Sequence, residues 1–185
     1  YSRILGCISR LRDAGIPIYY FTGNHDMWMF RYLTDEFGIP IYREPVTHVI
    51  NGKKFYIGHG DGLGPGDHGY KMIKKLFANP ASQWLFARIH PNTGLKLMKF
   101  FSGTSRKHTE VEAFLGPDKE WLIQYALEYL KKEDIDYFVF GHRHLPIDFD
   151  LGVKGAKYVN LGDWLKYNSY AVWDGTALQL TYYKP

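Results

Sequence analysis

The stretch Ile16-Pro17-Ile18-Tyr19-Tyr20-Phe21-Thr22-Gly23-Asn24-His25-Asp26 decides the reading, because an apolar run stops at a glycine-led tetrapeptide. Residues 16–21 read as a strand, and Gly-Asn is a turn signal, so Asn24 and His25 are expected at the carboxyl end of that strand. Open α/β sheets hold their ligands at that edge. Two later runs stop in the same way. Lys53-Lys-Phe-Tyr-Ile57 runs into Gly58-His59-Gly60-Asp61, and Ile135-Asp-Tyr-Phe-Val-Phe140 runs into Gly141-His142-Arg143-His144. Three strands that end in glycine and then imidazole or amide would converge on one rim. A borderline divalent metal favours imidazole with carboxamide or carboxylate donors, and a catalytic metal keeps a position open for water. Asn24, His59 and His142 supply such donors, and His144 can reach the same metal or a neighbouring one from a tight turn.

A chain of 185 residues suits one domain, 1–185, able to bury about 70% of its unfolded surface without a staple. Its 17% aromatic content, with 15 Tyr and 5 Trp, is high for a soluble globule, so rings are available to line a binding surface. The net charge of +4 weakly favours anionic substrates and does not establish nucleic-acid binding. A single cysteine excludes an internal disulfide; Cys7 lies among Ile4, Leu5 and Ile8 and reads as a buried core thiol. No apolar stretch approaches the roughly 20 residues that span a bilayer, and no signal peptide is visible, so a cytoplasmic location is expected. The chain opens without Met at Tyr1, within an amphipathic pattern, which reads as a fragment.

In order, residues 1–14 have helical spacing and stop at Gly15, and strand 16–21 follows. Met27 to Phe37 reads as a helix ended by Gly38. Ile39–Tyr42 and Val46–Ile50 read as strands, and Asn51-Gly52 signals a hairpin returning through Lys53–Ile57. Residues 60–67, Gly-Asp-Gly-Leu-Gly-Pro-Gly-Asp, form a loop whose backbone can approach a ligand closely. Helical patterns broken at Asn79-Pro80, Pro91 and Gly94 read as a helical cap, about 63–116, inserted between two strands. Pro117 opens a helix over Asp118–Lys132, and Ile135–Phe140 is a buried strand. Ile147–Asp150, Tyr158–Leu161, Ser169–Trp173 and Ala177–Tyr183 read as an antiparallel meander, with the C-terminal tyrosines packing a second sheet.

With these motifs the sequence resembles the calcineurin-like metallophosphoesterases. Their pattern is Asp-x-His, Gly-Asp-x-x-Asp, Gly-Asn-His-Asp/Glu, Gly-His and Gly-His-x-His, and this chain has the last three in order. The resemblance implies a four-layer α/β/β/α sandwich, two mixed sheets flanked by helices, around two divalent metal ions. Asn24, His59 and His142 would hold the second metal and His144 would belong to the first. His25 would be the acid that protonates the leaving oxygen or contacts the phosphate, with Asp26 orienting its ring. Asp-x-His and Gly-Asp-x-x-Asp are absent and would lie upstream of Tyr1, so the activity is assigned to the complete polypeptide and the fragment is expected to be nearly inactive.

Within that superfamily the likeness is greatest to the UDP-2,3-diacylglucosamine pyrophosphatase family of lipid A biosynthesis. It rests on Gly23-Asn-His-Asp-Met-Trp-Met29, the Gly-His-Gly-Asp loop, Asp67, Tyr70, the cap and Gly-His-x-His, although Arg143-His144-Leu145-Pro146 replaces the more familiar Thr-His-Arg-Pro. The implied reaction is hydrolysis of the diphosphate to UMP and 2,3-diacylglucosamine 1-phosphate, with Mn²⁺ expected and Fe or Zn admitted by the ligand set. Asp67 would match a substrate-contacting acid of the family. Trp84, Leu85, Phe86, Leu95, Leu97, Met98, Phe100 and Phe101 give the cap an apolar surface for acyl chains or for packing on the sheet, and basic residues alternate with or follow them. Ser105, Arg106 and Lys107 are read as phosphate contacts. The implied partners are a nucleotide-lipid substrate and, peripherally, the anionic cytoplasmic face of a Gram-negative inner membrane. No oligomeric state is assigned. The rivals are a metallophosphoesterase for another substrate, such as a phosphoprotein or nucleotide, and a non-catalytic lipid- or partner-binding module. His48, His68, His90 and His108 are read as structural or surface residues. Asp163 and Trp164 are read as capping the loop beneath the site, without a chemical role.

Overall fold

A computed structural model describes residues 2–65, 68–109 and 113–184, without the side chains of 68–70, 73 and 101–109. In chain order the elements are α1 (Ser2–Asp13), β1 (Tyr20–Phe21), α2 (Tyr32–Phe37), β2 (Ile41–Tyr42), β3 (Val46–Ile50) and β4 (Lys53–Ile57). Three helices follow, α3 (His68–Ala78), α4 (Pro80–Phe86) and α5 (Pro91–Thr109), then a 3₁₀ turn at Pro117–Lys119 and α6 (Trp121–Leu130). The chain finishes with β5 (Tyr137–Phe140), β6 (Pro146–Asp150), β7 (Lys157–Leu161), β8 (Ser169–Trp173) and β9 (Leu178–Tyr182).

Side-chain alternation along the strands builds two cores on the two faces of one mixed sheet, ordered β3-β4-β5-β7-β6. On one face Tyr56, Phe138, Phe140 and Tyr158 pack against Leu122, Ile123, Ala126 and Leu130 of α6. On the other, Phe55, Val139 and Val159 meet Leu178, with Ala171, Trp173 and Leu180 of the β8–β9 hairpin partly buried against them. Each large side chain buried this way contributes roughly 1.5–3 kcal/mol. The result is helix on sheet on sheet, the mixed α/β arrangement expected. Because β4, β5 and β7 run parallel, their carboxyl ends share one edge, and the residues after Ile57, Phe140 and Leu161 emerge there.

The Asn51-Gly52 turn has φ of 50° and 77°, both in the left-handed region that a two-residue hairpin of this twist requires. Several expected elements are shorter than their patterns. The strand over 16–21 is reduced to Tyr20–Phe21, since its parallel partner β2 offers only Ile41 and Tyr42 and Pro17 has no N–H to pair. The helix over Met27–Phe37 begins only at Tyr32, because the Met27 and Met29 carbonyls accept from the Arg43 guanidinium at 2.8 Å instead of from helical N–H groups. The helix over 118–132 is a 3₁₀ turn followed by α6, with extended Glu120 (φ −93°, ψ 98°) between them. The meander is also corrected. β7 lies between β5 and β6, parallel to the first, and β8–β9 is a separate hairpin sheet. Alternation on that hairpin turns Ala171, Trp173, Leu178 and Leu180 inward; Tyr182 has the same parity but stands at the end of β9 and is exposed, as is Tyr183 beyond it. Cys7 is exposed instead of buried, since α1 buries none of its residues. Among the described residues no helix is long and apolar enough to cross a membrane.

Candidate metal centre

The turn after β1 is closed by its own acid. Asp26 accepts from the Gly23 N–H at 2.5 Å through one carboxylate oxygen and from the Tyr20 hydroxyl through the other. Burial, reinforced by Asp26, raises the Tyr20 pKa far above the ordinary phenol value, so this hydroxyl remains a donor. The clamp leaves Asn24 facing inward and His25 exposed. Asn24 Oδ1 lies 3.1 Å from His59 Nε2, and the His59 and His142 rings are 5.2 Å apart, edge to face. Donors that follow β1, β4 and β5 therefore meet at one point of the rim. The approach depends on a missing side chain at Gly23, where a Cβ would stand 2.7 Å from the His59 ring; one on Gly141 would meet the ring at an ordinary 3.4 Å.

His142 and His144 both adopt left-handed backbone, φ 36° and 55°. Such conformations cost non-glycine residues about 1–3 kcal/mol each and persist only where neighbours impose them. They send the two imidazoles to the rim and Arg143 inward, where it is buried. His144 Nδ1 stands 3.6 Å from Asp163 Oδ2, an ion-pair separation and not a hydrogen bond. Asp163 Oδ1 accepts from the backbone of Leu165, Lys166 and Tyr167, so Asp163 caps its loop as expected and also faces His144.

Among the described residues no group of three or more His, Cys, Asp or Glu side chains could hold a metal ion on its own. The donor set that does converge is two imidazoles and a carboxamide, and it fits a borderline divalent cation. Burial lowers the His59 pKa against the opposing pull of Asp61 and Asp26. Burial first, and His59 second, lower His142 to about 4. Both rings are thus uncharged at neutral pH, each with one ring nitrogen free of a proton. Stability has a matching pH dependence. In an unfolded chain histidine protonates near about 6.5, while in the fold His142 resists until about 4, so the unfolded state holds more protons between those values. The stabilisation is complete above the unfolded pKa, declines as the pH falls through that window, and is lost below the folded pKa. Urea midpoints of metal-free protein should fall from pH 6.5 to 4, and His142→Asn should flatten the fall; an equally steep profile in the variant would contradict this origin.

The helical insertion is tied to the rim by contacts that the sequence reading missed. Lys74 of α3 pairs with buried Asp61 at 2.9 Å, and Lys71 donates to the Gly64 carbonyl at 2.8 Å. Trp28 donates to the Phe77 carbonyl at 2.8 Å, and its ring lies 4.4 Å from that of Phe86, tilted by 59°. Of the apolar residues of the insertion, Phe86 thus packs inward, whereas Trp84, Leu85, Leu95 and Phe100 are exposed. A cleft of about 320 Å³ runs between rim and insertion, lined by Gly23, Met27, Arg43, Asp61, Lys74 and Gln83 among others. Asp67 and the side chains of Ser105, Arg106 and Lys107 lie outside the described residues. Asp61 and Asp163 each sit beside a Gly-led loop, a signal that marks them in the sequence; Glu120, which accepts from Arg143, carries no such mark.

A family profile described as calcineurin-like phosphoesterase matches residues 3–146. The UDP-2,3-diacylglucosamine hydrolase of Porphyromonas gingivalis (strain ATCC BAA-308 / W83) is 37% identical over 194 residues, covering 97% of this chain and 74% of that protein. Proteins of the same name from Pseudomonas putida and Aeromonas salmonicida are 29% and 26% identical, covering 87% and 91% of this chain and 67% and 66% of their own lengths.

Proposed function

The chain belongs to the calcineurin-like phosphoesterase family, whose members generally depend on two metal ions, and on that premise we propose that the protein hydrolyses the diphosphate bond of UDP-2,3-diacylglucosamine. The products are UMP and 2,3-diacylglucosamine 1-phosphate, a step of lipid A biosynthesis. The observation that carries the reading is the meeting of Asn24, His59 and His142 at one rim in a chain 37% identical to a hydrolase of that name.

Asn24, His59 and His142 would hold one ion, and His144, faced by Asp163, would belong to the other; Mn²⁺ is the proposed metal, with Fe or Zn compatible with the donors. When bound, such a pair supplies Lewis-acid polarisation of phosphoryl oxygens and activation of water at neutral pH. His25 delivers a proton to the leaving oxygen from the exposed tip of its turn. Asp26 keeps that tip in place through Gly23 and Tyr20. Asp67, Ser105, Arg106 and Lys107 are proposed to contact the substrate.

Residues 1–185 are read as one domain whose insertion, about 63–116, caps the rim and receives the acyl chains on its exposed Trp84, Leu85, Leu95 and Phe100. With an amphiphilic substrate, the protein is proposed to work peripherally at the anionic cytoplasmic face of the inner membrane. Burying two such anchors contributes about 3–6 kcal/mol, so the diacyl substrate should exceed UDP-N-acetylglucosamine, which has no long acyl chain, by at least about 10²-fold in kcat/KM. Equal kcat/KM for the two would remove the lipid substrate and leave a phosphoesterase of other specificity.

A further inference from the structure

The residue between the two histidines of the last motif points away from the rim, and its destination is specific. Arg143 Nε donates to both carboxylate oxygens of Glu120, at 3.1 and 3.0 Å, and the two side chains are only 5% and 3% exposed. Glu120 stands directly before α6 yet its side chain does not cap that helix. The Arg143 guanidinium also lies 5.3 Å over the Trp121 ring, and the opposite use of that ring is an edge-to-face contact with His142, at 6.3 Å and 74°. One short segment, Glu120-Trp121, therefore grips Arg143 and abuts the histidine before it. The gripped loop needs external support. Its two histidines occupy left-handed backbone, and the backbone bond joining Arg143 N–H to the Gly141 carbonyl spans only two residues.

A buried ion pair is weak evidence for stability. Its desolvation cost can exceed its attraction, and replacement by apolar residues of similar volume is often neutral or stabilising. What such a pair does supply is a charge-assisted, geometrically fixed tie. We propose that Glu120 is a positioning residue: through Arg143 it holds the strained Gly141–His144 loop so that His142 and His144 face the metal ions. The inference rests on the reading of those histidines as metal ligands.

The test is Mn²⁺ binding to the full-length protein, followed by the electron paramagnetic resonance signal of the free ion, with kcat and KM measured across a Mn²⁺ titration. Two variants separate positioning from folding. Glu120→Gln keeps the shape and one acceptor for Arg143, and Glu120→Leu combined with Arg143→Met replaces the pair by apolar groups that the core tolerates. Both should lower Mn²⁺ affinity about 10–100-fold, the range found when a group orienting a ligand is removed. Excess Mn²⁺ should restore kcat to near the parent value, with substrate KM unchanged. Unchanged Mn²⁺ affinity in either folded variant overturns the proposal, even if thermal stability falls. Failure of the parent protein itself to bind Mn²⁺ overturns the metal-ligand reading, and the positioning role with it.

Discussion

His25→Ala is expected to lower kcat by about 10²–10⁴-fold, the usual contribution of a positioned general acid, while divalent-metal content stays unchanged. The separation of effects follows from the turn. The 3.1 Å contact between Asn24 and His59 does not involve the His25 ring, nor do the Asp26 bonds to Gly23 and Tyr20 that shape the turn. His25 is exposed at the tip of its turn, where a substrate oxygen can reach it. Elemental analysis beside steady-state kinetics checks both halves, and the variant should also lose the alkaline limb of the pH–kcat profile. A variant with parental kcat rejects the acid role. A variant that loses its metal reassigns His25 to the ligand set.

Gly23→Ala is expected to reduce kcat/KM by about 10²-fold or more, because a displacement of about 1 Å at reacting groups has that scale of effect. The added Cβ would lie 2.7, 2.8 and 3.0 Å from three atoms of the His59 ring. An imidazole is rigid, so the whole ring must move. Moving it separates His59 from Asn24. Gly141→Ala is the control: its Cβ would meet the same ring at 3.4 Å, an ordinary contact, and should cost far less. Circular dichroism should be unaltered in both. Equal activities for the two variants would show that the rim tolerates displacement of His59.

The parts of this site that the sequence made legible are those whose chemistry adjoins their own strand. Asn24, His59 and His142 each follow an apolar run by two or three residues, and Val46–Ile50 with Lys53–Ile57 appear with the predicted limits because Asn51-Gly52 fixes the register locally. What was not legible depends on partners far along the chain. Glu120 meets Arg143 across 23 residues, and Lys74 reaches Asp61 from the insertion. The missing first turns of the Met27–Phe37 helix have the same cause, since Arg43 takes carbonyls that local propensity would have given to the helix. Cys7 shows the converse. Its apolar neighbours read as core, but a helical pattern says which residues share a face and not whether another element covers it.

The measurement that tests the account most directly is Mn²⁺-dependent release of UMP from UDP-2,3-diacylglucosamine by the full-length protein, run beside its Asn24→Ala variant. The account predicts UMP release that needs Mn²⁺, stops with chelator and nearly vanishes in the variant. Release that survives chelation, or that is undiminished in Asn24→Ala, would contradict it.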